Sequence, residues 1–399
     1  MLKTFKLGGV HPPEKKYAQD SPIESFPLPK QVIIPINQNL GAPSVPQVKK
    51  GDEVKAGQLL AKGEAFISSN VHSSVSGKIF KIDQSIDSTG YKRMSIIINV
   101  EGDEWVDSVD RSDDLRPEVT MDQKEIINKV HEMGVVGMGG ATFPSHVKLM
   151  VPKGKTAEYL LINGVECEPY LTADHRMMLE KGKEILIGTK ILMKALGVSK
   201  AVVGIENNKP DAISRMKELA EGFDGITVQP LKVKYPQGGE KQLIKAVVNR
   251  EVPSGKLPIE VGCVVHNVGT AFAVYEAVQK NKPLVERVVT VTGDPVKKPS
   301  NFLVRIGTPI KELLEKAEAD LENTGKIVSG GPMMGKALNS TDVPVVKGTS
   351  GILLFRNEQA KRVDLKPCIR CGRCILVCPM GLEPIYLAQV SEKGDWEKA

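Results

Sequence analysis

The sequence predicts an α/β multidomain protein, and three observations carry that prediction. Residues 31–101 hold short apolar strands separated by Gly-Asp and Ser-Gly turns, the pattern of a small all-β unit. Residues 121–284 alternate strands with helices, which within one chain implies a parallel sheet covered on both faces. Toward the end, Cys368, Cys371, Cys374 and Cys378-Pro379 stand in the spacing C-x2-C-x2-C-x3-C-P, which turns thiolates toward one cubane of iron and sulfide. A zinc knuckle or a disulfide pair is the alternative, but zinc sites use separated C-x2-C pairs.

Composition narrows the functional classes. A length of 399 residues suggests roughly two to four domains. Hydrophobic residues at 41% and charged residues at 26% are ordinary for a globular protein. Aromatics at 5% argue against stacking platforms for nucleic acid. The net charge of +6 is mild and evenly spread, compatible with docking on an acidic protein or an anionic membrane surface. Four of the six cysteines lie in the terminal run and Cys167 and Cys263 stand alone, so no disulfide framework is expected and a reducing cytosol suits the thiolates. No stretch reaches about eighteen consecutive apolar residues, so no bilayer span is expected. Met1–Phe5 lead into Gly8-Gly9 without the long apolar core of a signal peptide.

Taken in order, residues 1–30 are rich in proline, with His11-Pro12-Pro13, Pro22, Pro27 and Pro29. Proline at this density excludes helix and predicts an extended arm lying on a neighbour. Val32–Pro35 opens the all-β unit of residues 31–101. Its strands resemble the biotinyl/lipoyl-type barrel-sandwich domain, which displays a lysine on a hairpin tip. Here the corresponding tip falls at His72-Ser73-Ser74, without lysine, so a structural or docking module is expected, with His72 a turn histidine rather than a ligand. Residues 102–120 are acidic and polar and read as a linker. A helix is predicted from Asp122 to Met133, capped by Asp122, with Ile126, Ile127 and Val130 on its apolar face.

The glycine-dense segment Gly137–Lys148 follows that helix. Glycines let main-chain N–H groups approach a phosphate or a flat ring, although a plain loop accounts for them equally well. The segment is not a G-x-G-x-x-G turn and does not follow a strand. Strands are then predicted at Tyr159–Gly164, Ala201–Glu206, Ile226–Val228 and Val261–Val265, and helices at Met177–Leu196, Lys209–Glu221 and Lys241–Asn249. Ligands of parallel sheets bind beyond the carboxyl ends of the strands. Asn163–Pro169, Gly238-Gly239-Glu240 and His266–Thr270 sit at such ends and are the candidate site loops. Glu166 and Glu168 have a second reading as caps of the following helix. Cys167 and Cys263 read as packed residues, and Lys148 as a phosphate partner or a solvent-facing side chain. Residues 285–345 read as a small mixed α/β domain with a helix at Lys311–Glu322 and a glycine turn at Gly330–Gly335. Gly351–Phe355 leads into the cysteine run.

In combination these segments resemble the flavin-binding subunit of respiratory complex I and, more closely, the C subunit of the Rnf ion-translocating electron transport complex. The resemblance rests on the His11-Pro12-Pro13 arm, Gly-Gly-Ala-x-Phe-Pro at Gly139–Pro144, Asn163-Gly164-x-Glu166-Cys167-Glu168-Pro169-Tyr170, Gly239-Glu240, Asn267–Thr270 and Cys368–Pro379. It covers nearly the whole chain. Met138, Val165 and Lys241 stand where the complex I family has arginine, aspartate and glutamate.

The resemblance implies an arm at 1–30, a barrel-sandwich domain at 31–101, a linker at 102–120 and a Rossmann-like FMN/NADH domain at 121–284. It further implies a β-grasp (SLBB) domain at 285–345 and a ferredoxin-like 4Fe-4S segment at 346–399. It places Gly137, Gly139, Gly140 and Lys148 at the flavin phosphate, Asn163, Glu166, Gly239, Glu240, Asn267 and Thr270 around FMN, and Phe143 and Glu168 toward NADH. Cys368, Cys371, Cys374 and Cys378 are the expected iron ligands. A flavin accepts a hydride and releases single electrons, so FMN beside a [4Fe-4S] cluster is chemically consistent. The expected role is a peripheral subunit at the cytoplasmic face of the cell membrane, exchanging electrons between NAD(H) and, indirectly, ferredoxin, with membrane and cluster-bearing partner subunits. A soluble flavin/iron–sulfur cobalamin reductase and a non-enzymatic scaffold are the alternatives. One cysteine run is half of a two-cluster module, in which Cys378 would serve the second cluster, so the sequence is expected to continue into a second run.

Overall fold

The buried residues Val32 and Ile34 of Gln31–Pro35 and Ser95–Ile98 of Lys92–Gly102 build the first unit of the computed structural model, which describes residues 2–398. These strands join Ser76–Ile86 and Glu53–Val54 in a four-stranded sheet. Val45–Pro46, Leu59–Lys62 and Val71–His72 form a three-stranded sheet. Val32, Ile34, Leu60, Val71, Ile79, Ile96 and Ile98 fill the space enclosed by the two. The expected displayed tip is not displayed. His72, Ser73 and Ser74 are buried, and Ser74 Oγ donates to the Ile306 carbonyl at 2.5 Å. The third unit covers this edge, so a modifiable tip there has no solvent to swing into.

The second unit is a four-stranded parallel sheet in the spatial order Ile226–Leu231, Ala201–Glu206, Tyr159–Asn163, Cys263–Asn267. The chain builds outward from Tyr159–Asn163 in one direction and then returns to its other side. The order therefore reverses between Tyr159–Asn163 and Cys263–Asn267, and ligands of open α/β sheets bind at such a reversal. Asp122 accepts from Glu125 N while Glu125 accepts from Asp122 N, a reciprocal cap for Gln123–Glu132. The helix expected over Met177–Leu196 is two helices, Ala173–Glu180 and Gly182–Leu196. Lys181 leaves helical geometry between them. Gly182 sits where a Cβ would lie 2.7 Å from Leu219 and 3.1 Å from Met216, so the break lies where Pro210–Ala220 packs closest.

The third unit is a six-stranded mixed sheet. Ile23–Ser25 of the N-terminal arm pairs in parallel with Ser300–Arg305 at one edge. Gly351–Arg356 lies inside the sheet between Glu286–Gly293 and Thr324–Ser329, so this unit extends past residue 345. Its helix is Ile310–Lys316, shorter than expected, because the chain turns at Ala317 to pair Ala319 with Val296. Beyond Arg356 the chain is largely exposed. There Val377 O accepts from Gly9 N of the arm at 2.8 Å. No described helix is long and apolar enough to cross a membrane.

Lys347 joins the three units. Its fully buried ammonium donates to Asn70 O and Gly134 O, both at 2.7 Å, while its backbone N donates to Gln38 Oε1. Burial pulls its pKa from 10.5 to about 7. Between those values the unfolded chain holds a proton that the folded chain has released, so this group makes stability rise with pH. Lys347→Met lacks that dependence. Denaturant titrations from pH 7 to 10 are expected to show wild type gaining on Lys347→Met by about 1.4 kcal/mol per pH unit; a pH-independent difference would show that the ammonium is not buried.

Candidate functional site

At the reversal of strand order, Asn163 and Asn267 end their strands directly opposite each other. Both side chains tie loops to the strand ends. Asn163 donates to Gly238 O at 2.9 Å and accepts from Val165 N at 3.1 Å. Asn267 caps the helix Val268–Gln279, accepting from Gly269 N at 2.8 Å, and its amide donates to Asp174 Oδ2 at 2.6 Å. The Gly137–Lys148 segment closes over this pair. Gly137 N bonds Phe143 O at 2.8 Å, and Met138 N donates to the buried Thr270 Oγ1 at 2.9 Å. Gly139 comes so near that a Cβ would lie 3.2 Å from Asn267 Cβ. Gly140, at φ 137°, adopts a conformation that favours glycine and faces open space.

The structure thus gathers Gly137, Gly139, Gly140, Asn163, Asn267 and Thr270 at one crevice, with Gly239 and Glu240 joined through Gly238. Gly239 caps the helix Glu240–Val248, whose amino end carries partial positive charge. Lys148 Nζ pairs with Glu240 Oε1 at 2.7 Å and donates to Val265 O at 3.0 Å, so it is not a free solvent-facing side chain. Phe143 is half-buried on the returning limb of the glycine loop.

Glu166 and Glu168, two residues apart, are used differently. Glu166, at φ 48°, accepts from Asp174 N at 2.8 Å and His175 N at 3.3 Å. It caps Ala173–Glu180 from outside that helix, so the capping reading describes it in this structure. Glu168 caps nothing. Its Oε2 accepts from Met333 N at 3.0 Å in the third unit, and its Oε1 is buried without a hydrogen-bond partner among the described residues. Burial raises the Glu168 pKa. Cys167 is packed, with burial pushing its thiol up to about 12, and Cys263 is buried in its strand.

Several residues that shape the site carry no local signal in the sequence. Lys16 of the arm donates to Glu166 O, Glu168 O and Leu171 O at 2.9, 2.9 and 2.6 Å. Burial lowers its pKa to about 8, opposed by the Glu166 charge. Lys209, fully buried, donates to Val165 O at 2.8 Å. Arg287 reaches from the third unit to Met138 O at 3.2 Å and to Lys347 O. Asp174 is another such residue, set beside Asn267 at the start of its helix. Burial, reinforced by Glu166, pushes its pKa up to about 7. The segment of the cysteine run meets the Glu240–Val248 helix, where Gln242 Nε2 donates to Met380 Sδ at 3.4 Å. Cys368, Cys371 and Cys374 are exposed, Cys378 is half-buried, and no metal-binding group forms among the described residues.

Comparison with known proteins matches this architecture. The Nuo51 FMN-binding domain model matches residues 130–276, which contain the crevice. The RnfC barrel sandwich hybrid domain model matches residues 3–103 and the SLBB domain model residues 288–337. The C subunit of the proton-translocating ferredoxin:NAD(+) oxidoreductase complex of Clostridium ljungdahlii is 47% identical over 100% of this chain and 87% of its own length. The Na(+)-translocating counterpart of Acetobacterium woodii is 43% identical over 99% of this chain and 89% of its own. The C subunit of the ion-translocating oxidoreductase complex of Rhodobacter capsulatus is 40% identical over 100% and 77%.

Removing the Glu166 carboxylate leaves two helix N–H groups without their acceptor. Glu166→Ala is expected to lower the unfolding free energy by about 1–2 kcal/mol in denaturant titrations. A change below about 0.3 kcal/mol would remove capping as its role.

Proposed function

The chain belongs to the C-subunit family of the ion-translocating ferredoxin:NAD(+) oxidoreductase (Rnf) complexes, and on that premise we propose that it is the NAD(H)-handling flavin subunit of such a complex. The observation that carries this reading is the coincidence of the matched FMN-binding domain, residues 130–276, with the crevice at the reversal of strand order. The names of the relatives favour an ion-translocating complex over a cobalamin reductase or a scaffold. Such a subunit would lie at the cytoplasmic face of the membrane beside partner subunits that carry the ions.

The glycine loop and the facing strand ends are where a flavin mononucleotide would bind. Gly139 crowds Asn267 so closely that a side chain would narrow the space between them, and Gly140 leaves its own side open. Gly137, Gly139, Gly140 and Lys148 would hold the phosphate. Asn163, Glu166, Gly239, Glu240, Asn267 and Thr270 would surround the flavin, and Phe143 and Glu168 would face NADH. When bound, FMN accepts a hydride from NADH and returns electrons singly. The protein's part is to orient and to hold protons. Asn163 is fixed by Gly238 O and Val165 N of two loops, Asn267 by Asp174 and Gly269 N of two helices, and both present rigid amides. Burial and the Glu166 charge hold the Asp174 carboxyl well above its ordinary range, so it is the group here suited to hold a proton while Asn267 donates to Oδ2.

The spacing of Cys368, Cys371 and Cys374 supplies three donors of one [4Fe-4S] cubane, and in a two-cluster module Cys378 would serve the other. The arrangement in this structure does not gather the four sulfurs. Metal binding and local folding are coupled, so a cluster would draw this exposed segment together.

Two outcomes test the assignments. Wild-type protein reconstituted with FMN should retain it through gel filtration, and Gly139→Val should lose most of it at unchanged circular dichroism; flavin retained at full stoichiometry in that variant would refute the crevice. Anaerobic reconstitution should give about four irons and four sulfides per cysteine run, falling sharply in Cys371→Ser. Iron unaffected by that substitution would remove the ligand assignment.

A further inference from the structure

The loop that carries Glu168 is walled on one side by the β-grasp unit. Tyr170 packs with Val328, Leu353 and Phe355 of that sheet. Thr172 N donates to Thr290 Oγ1 at 3.2 Å, and Thr172 Oγ1 donates to Asn301 Oδ1 at 2.8 Å. The glycine loop meets the same unit, since Arg287 donates to Met138 O and a Cβ on Gly348 would lie 2.7 Å from Thr142 Cγ2. Both loops of the crevice therefore lean on one neighbouring sheet.

Closest of all is the turn Gly330–Gly335. Met333 N donates to Glu168 Oε2 at 3.0 Å. That approach requires glycine at 331, where a Cβ would lie 2.3 Å from Oε2, 2.6 Å from Cδ and 2.8 Å from Cβ of Glu168. Gly330, at φ 105°, supplies a backbone conformation that side chains rarely adopt. The turn also leaves the Met333 and Met334 side chains exposed, at 41% and 77%. A backbone N–H of one domain thus holds the carboxylate of another, on the loop that leaves the carboxyl end of the Tyr159–Asn163 strand.

We propose that the Gly330–Gly335 turn of the β-grasp unit is part of the nicotinamide-nucleotide site, with Gly331 and the Met333 N–H as positioning groups that hold Glu168 toward NAD(H). This rests on the assignment of Glu168 to NADH made above. The β-grasp unit is then a working wall of the redox site as well as a structural neighbour of it. A Cβ at Gly331 displaces the carboxylate from its donor and changes how NADH is bound without reaching the flavin.

The test is anaerobic stopped-flow reduction of the FMN-loaded chain by NADH, in wild type, Gly331→Ala, Glu168→Gln and the double variant, with flavin content and Tm recorded in parallel. Gly331→Ala should keep its flavin and raise the NADH concentration for half-maximal reduction about tenfold, the factor expected for one hydrogen bond to a charged group. Glu168→Gln should do the same, and the double variant should be no worse than either, since groups acting through one another do not add. Additive losses, or wild-type half-saturation in Gly331→Ala, overturn the proposal. A loss in Gly331→Ala with Glu168→Gln silent overturns the positioning role and leaves the flavin site standing. Silence in both removes the Glu168 assignment and this proposal with it. If Gly331→Ala loses flavin or folds poorly, Glu168→Asp decides. It keeps the charge but draws the carboxylate back from Met333 N–H, and the same tenfold rise is expected; wild-type half-saturation there overturns the proposal.

Discussion

One buried ammonium sets the shape of the candidate site. Lys16, on a proline-rich arm at the start of the chain, gathers the carbonyls of Glu166, Glu168 and Leu171 around its Nζ. Without it the loop after Tyr159–Asn163 would have three inward carbonyls and no donor between them, and an unmatched buried polar group costs about 1–3 kcal/mol. The loop needs such support because Glu166 and Tyr170 both sit at positive φ, a conformation that costs non-glycine residues energy. Lys209 makes the corresponding bond to Val165 O. Two lysines from separate regions of the chain thus hold one loop, and through it Glu166, Cys167 and Glu168.

The same logic operates between domains. Lys347 binds carbonyls of the barrel-sandwich unit and of the glycine-loop approach, and Arg287 binds Lys347 O and Met138 O. These bonds run from cationic side chains to backbone carbonyls and not to carboxylates. They specify loop positions without adding a neutralising charge, and burial accordingly lowers the pKa values of Lys16, Lys347 and Arg287. The crevice is therefore a property of the assembled units, although its strands belong to one of them.

The parts of the fold readable in sequence are those with a local signature. Val32 and Ile34 alternate, Tyr159–Asn163 and Ala201–Glu206 are short apolar runs joined by helices, and Asp122 and Glu125 stand at capping-box spacing, so strands, parallel order and helix start all follow. The candidate loops are legible because strand ends in a parallel sheet are where ligands go, and the structure brings Asn163, Asn267, Gly139 and Thr270 together there. Lys16, Lys209, Arg287 and Lys347 are not legible, because their partners lie in other parts of the chain. The break at Lys181 is hidden by apolar residues on both sides of it; what separates the two helices is the approach of Met216 and Leu219 to Gly182, a tertiary contact. Asp174 is hidden for the opposite reason: an acid at a helix start is ordinary, and only its bond to Asn267 gives it another role.

In the proposed role, a flavin held at the reversal of strand order, by Asn163 and Asn267, gives the assembled units their function. A crystal structure of the chain loaded with FMN tests this most directly. The phosphate is expected beside Gly137–Gly140 and Lys148, and the ring system between the glycine loop and the paired Asn163 and Asn267. Flavin found elsewhere, or a crevice still closed by Asn267 against Gly139 with FMN bound at another face, would contradict it.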